Sequence, residues 1–289
     1  MSKMLNIALL RAVMFMVIGG VSIAVMQAVV KLISIELHPF VITLYRSGLV
    51  FFVFLPIFFW QGKTVFQTSS VRLQIMRGAI GGIGMLCVFT GLSMISLPDV
   101  TVLLFTVPIF ATLLSILFQA EKVGIRRWTA IIAGFLGILI ITRPQGIFSL
   151  GHLLILCAAV SWSVSILIAK KLTEKDTIIS ITFWQAMGCV PLALIASFFV
   201  WELPSLVQLG FLLGIAALGT IGHALLYAAL KVGQVSVILP LDYIRIIWAA
   251  GLGFVLFGQL PTLHLYAGSF LIIAATAFLS YREVTADKG

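Results

Sequence analysis

The sequence predicts an all-α membrane protein: ten transmembrane helices arranged as two five-helix repeats that enter the bilayer in opposite orientations. Three observations lead there. The chain has 289 residues, 62% of them hydrophobic and 9% charged, whereas a water-soluble domain carries roughly 25% charged residues. There is too little polar surface here to cover a globule in water. The apolar residues fall into ten runs of about 20, the length that crosses a hydrocarbon core as a helix. Short matches recur between the two halves at one constant offset, and five runs per half, an odd number, turn the second copy upside down.

Taken in order, the first run occupies 8–30 behind Met1-Ser2-Lys3. It lacks a small-residue cleavage site and is long enough to span, so it reads as an uncleaved helix rather than a signal peptide. Glu36-Leu37-His38-Pro39 ends it, and the second run fills 39–60 up to Gln61-Gly62-Lys63. The third, 73–96, closes at Leu97-Pro98-Asp99, and the fourth, 99–119, at Glu121-Lys122-Val123-Gly124. The fifth, 125–142, ends at Arg143-Pro144-Gln145-Gly146, which divides a first repeat over 1–146 from a second over 147–289. The second half holds runs at 151–170, 178–200, 206–230, 234–257 and 263–281, broken by clusters such as Glu174-Lys175-Asp176, Leu203-Pro204 and Gln259-Leu260-Pro261. The short alternating segments of a β-barrel are absent.

Charge orients this ladder. With the N-terminus inside, one side collects Lys3, Arg11, Lys63, Arg72, Arg77, Lys122, Arg126, Arg127, Lys170, Lys171, Lys175, Lys231, Arg282 and Lys288, and the other only Lys31 and Arg143. Arg46 and Arg245 fall inside runs. The positive-inside rule then puts both termini in the cytoplasm, as expected of a multi-pass protein of a cell inner membrane. The formal net charge of +9 is thus spread over loops, with no dense basic block for nucleic acid. Cys87, Cys157 and Cys189 all lie in apolar runs and form neither a disulfide framework nor a metal motif.

The internal matches are specific. Val21-Ser22 answers Val160-Ser161, Lys31 answers Lys170, and Ile42-Thr43-Leu44-Tyr45-Arg46 answers Ile181-Thr182-Phe183-Trp184-Gln185. Phe118-Gln119-Ala120-Glu121 with Trp128 answers Phe257-Gly258-Gln259 with Tyr266, shifted by one. Glycine-rich stretches at 78–84 and 210–222 have the small-xxx-small spacing of close helix crossings. Pro56, Pro108, Pro191 and Pro240 are candidate kinks.

Together with Pro108-Ile109-Phe110-Ala111, Gly134 and Gly137, and Pro240-Leu241-Asp242-Tyr243-Ile244-Arg245, these residues resemble the drug/metabolite transporter superfamily in its EamA-domain branch, over essentially the whole chain. Where that family has Glu after the second Phe-Gly, this chain has Gln259. The resemblance implies the ten-helix inverted-repeat fold and a transporter. The Asp-Tyr-x-Arg variant is similar to members that move S-adenosylmethionine, riboflavin or related metabolites.

Ionisable residues inside runs are costly and therefore informative. Arg46 lies mid-run; it either faces a wet cavity and binds an anionic group, with Tyr45 beside it, or pairs with backbone carbonyls. Asp242 and Arg245, three residues apart on one helix face, can pair. Either that pair locks its helix, or it opens in transport, with Asp242 coupling to protons and Arg245 meeting solute. Tyr243 can stack on a planar solute. His223 and Tyr227 sit one turn apart, and Trp162, Trp184 and Gln185 correspond by the repeat to the Arg46 region. Gln27 is a further polar candidate. For each of these, packing is the competing role.

No Walker A, HExxH or GxSxG motif is present, and no cofactor or metal is implied. The expected function is a secondary carrier moving a small organic metabolite by alternating access, as monomer or homodimer, proton-coupled or by exchange. An amino-acid or drug exporter of the same fold, and a membrane-embedded channel or structural subunit, are the alternatives.

Overall fold

The computed structural model describes residues 2–119, 125–142, 149–232, 238–260 and 262–286, and these residues form helices joined by short connections, with no strand among them. Glu121, Lys122, Arg143, Lys288 and the division at 146/147 lie outside the described residues. The helices are α1 (Ser2–Ile33), α2 (Pro39–Gln61), α3 (Val71–Met94), α4 (Leu97–Leu104), α5 (Val107–Gln119), α6 (Ile125–Thr142), α7 (Leu150–Leu172), α8 (Ile178–Ser197), α9 (Leu206–Val232), α10 (Arg245–Phe257) and α11 (Leu263–Ala286). A 3₁₀ turn, Leu239–Ile244, leads into α10.

Six segments, within α1, α2 with its 3₁₀ extension, α3, α7, α8 with its extension, and α9, are long and apolar enough to cross a membrane; Leu97–Ala111 (α4 and the start of α5), Ile131–Ile140 and Leu263–Ala275 are shorter apolar segments. Large apolar side chains such as Trp60 and Leu206 point outward, 87% and 88% exposed. Water would penalise that arrangement and lipid does not. The chain is a multi-pass membrane protein.

Starts and stops follow local chemistry. His38 accepts from the Phe40 amide ahead of Pro39 at the start of α2. The Ser70 hydroxyl accepts from Leu73 N–H at 3.3 Å, Ser96 from Asp99 N–H at 3.2 Å, and Thr177 from Ser180 N–H at 3.1 Å. Each satisfies an orphan donor of a first turn. α10 ends on Gly258 at φ 62°, a left-handed residue that glycine adopts without strain.

The span expected at 99–119 is two helices. Pro108 has no N–H to offer Leu104, and the chain turns through Phe105 and Thr106 on bonds to Val102 and Leu103 carbonyls. The span expected at 234–257 is interrupted in the same way by the 3₁₀ turn before Arg245. Pro56 and Pro191, by contrast, sit inside unbroken α2 and α8.

The halves interleave rather than stand side by side: α1 packs along α9, α3 along α7 and α8, α2 against α8 and α9, and α6 against α11. One crossing needs glycine on both helices. A Cβ on Gly78 would lie 2.6 Å from the Gly188 Cα, and one on Gly188 would lie 2.7 Å from the Gly78 Cα, so α3 and α8 touch backbone to backbone.

The matched lysines do matched work. Lys31 Nζ donates to the Leu92 and Ile95 carbonyls, both at 2.7 Å, at the end of α3. Lys170 Nζ donates to the Leu230 carbonyl at 2.6 Å, at the end of α9. These are opposite ends of the bundle, since the Val71 end of α3 lies beside Asp176, just past α7.

That second end carries a buried polar cluster. Asp176 accepts from the Thr68 hydroxyl (2.5 Å), the Ser69 amide (2.7 Å) and the Gln74 amide (3.0 Å). Arg77, grouped above with the loop charges, is instead fully buried in the second turn of α3. It is absorbed there by the Tyr227 hydroxyl (3.0 Å), Gln74 Oε1 (3.2 Å) and the Ile181 carbonyl, with its Cζ 5.2 Å from the Tyr227 ring. Burial pushes the Asp176 carboxyl up, but the bonds from Thr68, Ser69 and Gln74 outweigh it and hold the carboxyl below its ordinary value.

Asp176→Asn destabilises the purified protein at pH 7 by on the order of 1–3 kcal/mol, read as a lower apparent melting temperature. A carboxyl held below its unfolded value contributes above about pH 4 and loses its contribution as pH falls through the folded value. The gap between variant and wild type therefore narrows below about pH 4; a gap that widens there contradicts the assignment. Gly188→Val, judged by the same melt, costs about 1–3 kcal/mol because backbone cannot step aside, whereas Gly210→Ala, where a Cβ meets nothing within 4 Å, is neutral.

Candidate functional site

Near the middle of the helices lies a cavity enclosing about 1030 Å³ of empty space, counting the part open to solvent. Both halves line it. α1 contributes Met16, Gly19, Gly20, Ile23 and Met26; α3 contributes Met85 and Phe89; the break between α4 and α5 contributes Leu104, Phe105, Val107 and Pro108. From the second half come Trp162, Ser165 and Ile166 of α7, Gln185 of α8, Gly222, His223, Leu226 and Tyr227 of α9, and Asp242, Tyr243 and Arg245 at the second break.

The broken helices matter because a helix interior exposes only side chains, while a break turns backbone ends and polar groups into the cavity. At the second break Arg245 Nη2 pairs with Asp242 Oδ2 at 2.9 Å. The Arg245 side chain is nearly covered, at 7% exposure, while that of Asp242 keeps 25%. Phe105, from the first break, stands against both neighbours: its ring is 4.8 Å from that of Tyr243, edge to face, and 5.8 Å from the Arg245 guanidinium carbon. The ion pair thus has an aromatic backing from the other half.

Across the cavity, missing side chains make room for polar ones. A Cβ on Gly84 would lie 2.5 Å from Trp162 Cδ1, and one on Gly81 would collide with the Gln185 amide nitrogen. In that space the Trp162 indole donates to the Gly81 carbonyl at 3.3 Å, and Ser165 donates to Gln185 Oε1 at 3.4 Å. His223 Nδ1 lies 2.7 Å from the Gly219 carbonyl, a contact that assigns the proton to that nitrogen. Its ring is tilted 6.3 Å from that of Tyr227. The Tyr227 hydroxyl is taken by Arg77, so Tyr227 links the cavity wall to the polar cluster behind it.

Seven of the residues singled out from sequence therefore meet here: Trp162, Gln185, His223, Tyr227, Asp242, Tyr243 and Arg245. Four lie elsewhere. Trp184 donates to the Phe66 carbonyl at 3.2 Å, at the α2–α3 connection. The Tyr45 ring packs 6.2 Å from Trp201. Gln27 is fully buried, its amide without a hydrogen-bond partner among the described residues. Arg46 sits one layer behind the lining, against Met85 and His223.

Sequence reasoning passed over Arg77, Phe105 and Met85. Arg77 had a signal, a charge seven residues into an apolar helix directly before a glycine run; the two apolar residues had none. Gln259, where the resemblance expected an acid, accepts from the first free amide of α4, Leu97 N–H, at 3.0 Å. A neutral amide oxygen suffices for that bond. Among the described residues no three His, Cys, Asp or Glu gather as a metal set.

The sequence matches the EamA-like transporter family twice, over residues 10–143 and 149–281. It is 28% identical to the S-adenosylmethionine uptake transporter of Rickettsia bellii over 254 residues, 88% of this chain and 87% of that one. It is 27% identical to the riboflavin transporter of Vibrio cholerae, covering 96% of each. A solved crystal structure superimposes with a TM-score of 0.60 over 97% of this chain and 98% of the other, at 17% identity, a likeness of fold alone.

Proposed function

We propose that this chain, which belongs to the EamA-like transporter family, is a secondary carrier that moves a small ring-bearing metabolite by alternating access. The observation that carries the reading is the mid-helix cavity, built from both halves at two helix breaks. Its lining suits a flat organic solute: Trp162, Tyr243, Phe89 and Phe105 offer faces and edges, while Gln185, His223 and Ser165 offer a few fixed polar contacts. Met16, Met26 and Met85 supply walls that repack around different shapes. A relative that takes up S-adenosylmethionine and one that moves riboflavin both handle solutes of this kind.

The helices form ten spans, with α4–α5 and the 3₁₀ turn with α10 each counting as one, in two inverted repeats over 1–146 and 147–289. Three features support this. The family matches twice, the breaks fall at corresponding positions, and Lys31 and Lys170 tie off helix ends at opposite sides. The loop charges favour both termini in the cytoplasm and a bacterial inner membrane as the location. The halves then rock about the cavity, so that one side opens as the other closes.

Asp242 is the coupling residue. It is acidic, reaches the cavity and, among the described residues, is held by Arg245, so a proton or a solute cation can compete for that bond. Trp162, Gln185, His223, Tyr227, Tyr243 and Arg245 contact the solute.

Purified protein in liposomes provides the test. Counterflow of labelled S-adenosylmethionine or riboflavin is expected to be saturable, and non-saturating ion conductance would exclude a carrier. Asp242→Asn is expected to abolish accumulation driven by a pH gradient and to spare exchange; unchanged gradient-driven accumulation removes Asp242 from coupling.

A further inference from the structure

Three arginines are buried among the described residues: Arg46, Arg77 and Arg245, at 2%, 0% and 6% exposure. A guanidinium stays charged in a protein and presents five N–H donors, so each must be answered where water is absent. Arg77 has the Tyr227 hydroxyl, Gln74 and the Ile181 carbonyl, and Arg245 has Asp242. Arg46 has neither an ion pair nor an oxygen acceptor among the described residues. Its Nη1 points at the thioether of Met85, 3.2 Å away, which is a weak acceptor. Its Nη2 is 3.5 Å from His223 Nδ1, but that nitrogen already donates to Gly219 O and has no lone pair to give. Its Nε, like those of Arg77 and Arg245, has no partner among the described residues, so the difference lies at Nη1 and Nη2.

The pocket around this cation is built to keep it in place. A Cβ on Gly219 would come within 2.8 Å of Arg46 Nη2 and 3.1 Å of Nε, so the glycine makes a seat for the guanidinium plane. Two of the side chains lining the cavity touch Arg46: Met85, unbranched and able to change rotamer, and His223. The position that answers Arg46 in the second half, Gln185, already lines the cavity.

We infer that Arg46 is an anion-recognition residue one layer behind the cavity, and that the transported solute carries a carboxylate or phosphate which displaces the Met85 thioether to reach it. The anion takes the bidentate geometry a guanidinium offers and supplies the charge the protein leaves out. This inference rests on the carrier reading for the source of the anion. The rest of the solute stays among the aromatic side chains while its anionic end sits on α2, so α2 and α9 sense a loaded cavity directly.

The test uses the purified full chain, followed by thermal melting, with S-adenosylmethionine and its decarboxylated analogue as probes, which differ by the carboxylate alone. Without ligand, Arg46→Gln is expected to melt higher than wild type, because an uncompensated buried charge is removed; a lower melting temperature shows that the protein itself satisfies Arg46 and overturns the inference. With ligand, wild type is expected to bind the carboxylate form about tenfold or more tighter, and Arg46→Gln to bind the two alike. Equal binding of both by wild type overturns the inference while leaving the carrier reading intact. Binding of neither refutes this solute for the carrier, and the ligand-free melt then decides the inference by itself.

Discussion

A positive charge held out of water has to be answered, and the way this protein answers its buried and half-buried cations organises nearly everything else. Lys31 and Lys170 are answered by the carbonyl ends of α3 and α9, the groups a helix cannot satisfy for itself. Arg77 is answered by a cluster that joins α3 to α8 and α9, and Arg245 by Asp242 at a helix break. Apart from the Arg245–Asp242 pair, which is three residues apart, these answers cross between elements, so charge here acts as a fastener. Arg46 stands apart because its answer is incomplete among the described residues, and it does so next to a large cavity that both halves line.

Lipid removes the usual force for helix association, since a leucine is as comfortable in acyl chains as against another leucine. Close approach must supply cohesion instead. The backbone contact of Gly78 with Gly188 does so where α3 meets α8. The same absence of side chains at Gly81, Gly84 and Gly219 opens the spaces filled by Gln185, Trp162 and Arg46. Glycine therefore has one physical role with two consequences: it lets helices touch, and it lets polar side chains enter from a neighbouring helix. Tyr227 connects these layers, with its ring on the cavity and its hydroxyl on Arg77, whose other contacts reach α8 and the Asp176 cluster.

Much of the fold was legible because hydropathy and capping chemistry act locally. The runs, their polar interruptions and the Lys31–Lys170 correspondence could be read from residue order, and the helices follow them closely. The split of the fourth span was foreshadowed by Pro108, although Pro56 and Pro191 show that proline alone does not break a helix. The site was legible only in part. Asp242, Tyr243 and Arg245 stand out as polar residues at a break, but Phe105 and Met85 are ordinary apolar residues whose importance comes from what folds against them. Arg77 was misassigned because a charge near a helix start reads as a loop charge until the helix's packing face is known. Tyr45 and Trp184 neighbour the right positions in sequence yet point toward other elements, a distinction that helical register settles and composition does not.

The central claim is that one cavity serves both sides of the membrane in turn. It is tested most directly by placing a single cysteine at Ser165, with Cys87, Cys157 and Cys189 replaced, and labelling oriented vesicles with a membrane-impermeant maleimide from each face. Access from one face at a time, with the favoured face changing at saturating solute, is the result the account requires. Simultaneous labelling from both faces, indifferent to solute, would mean a continuous pore and would contradict it.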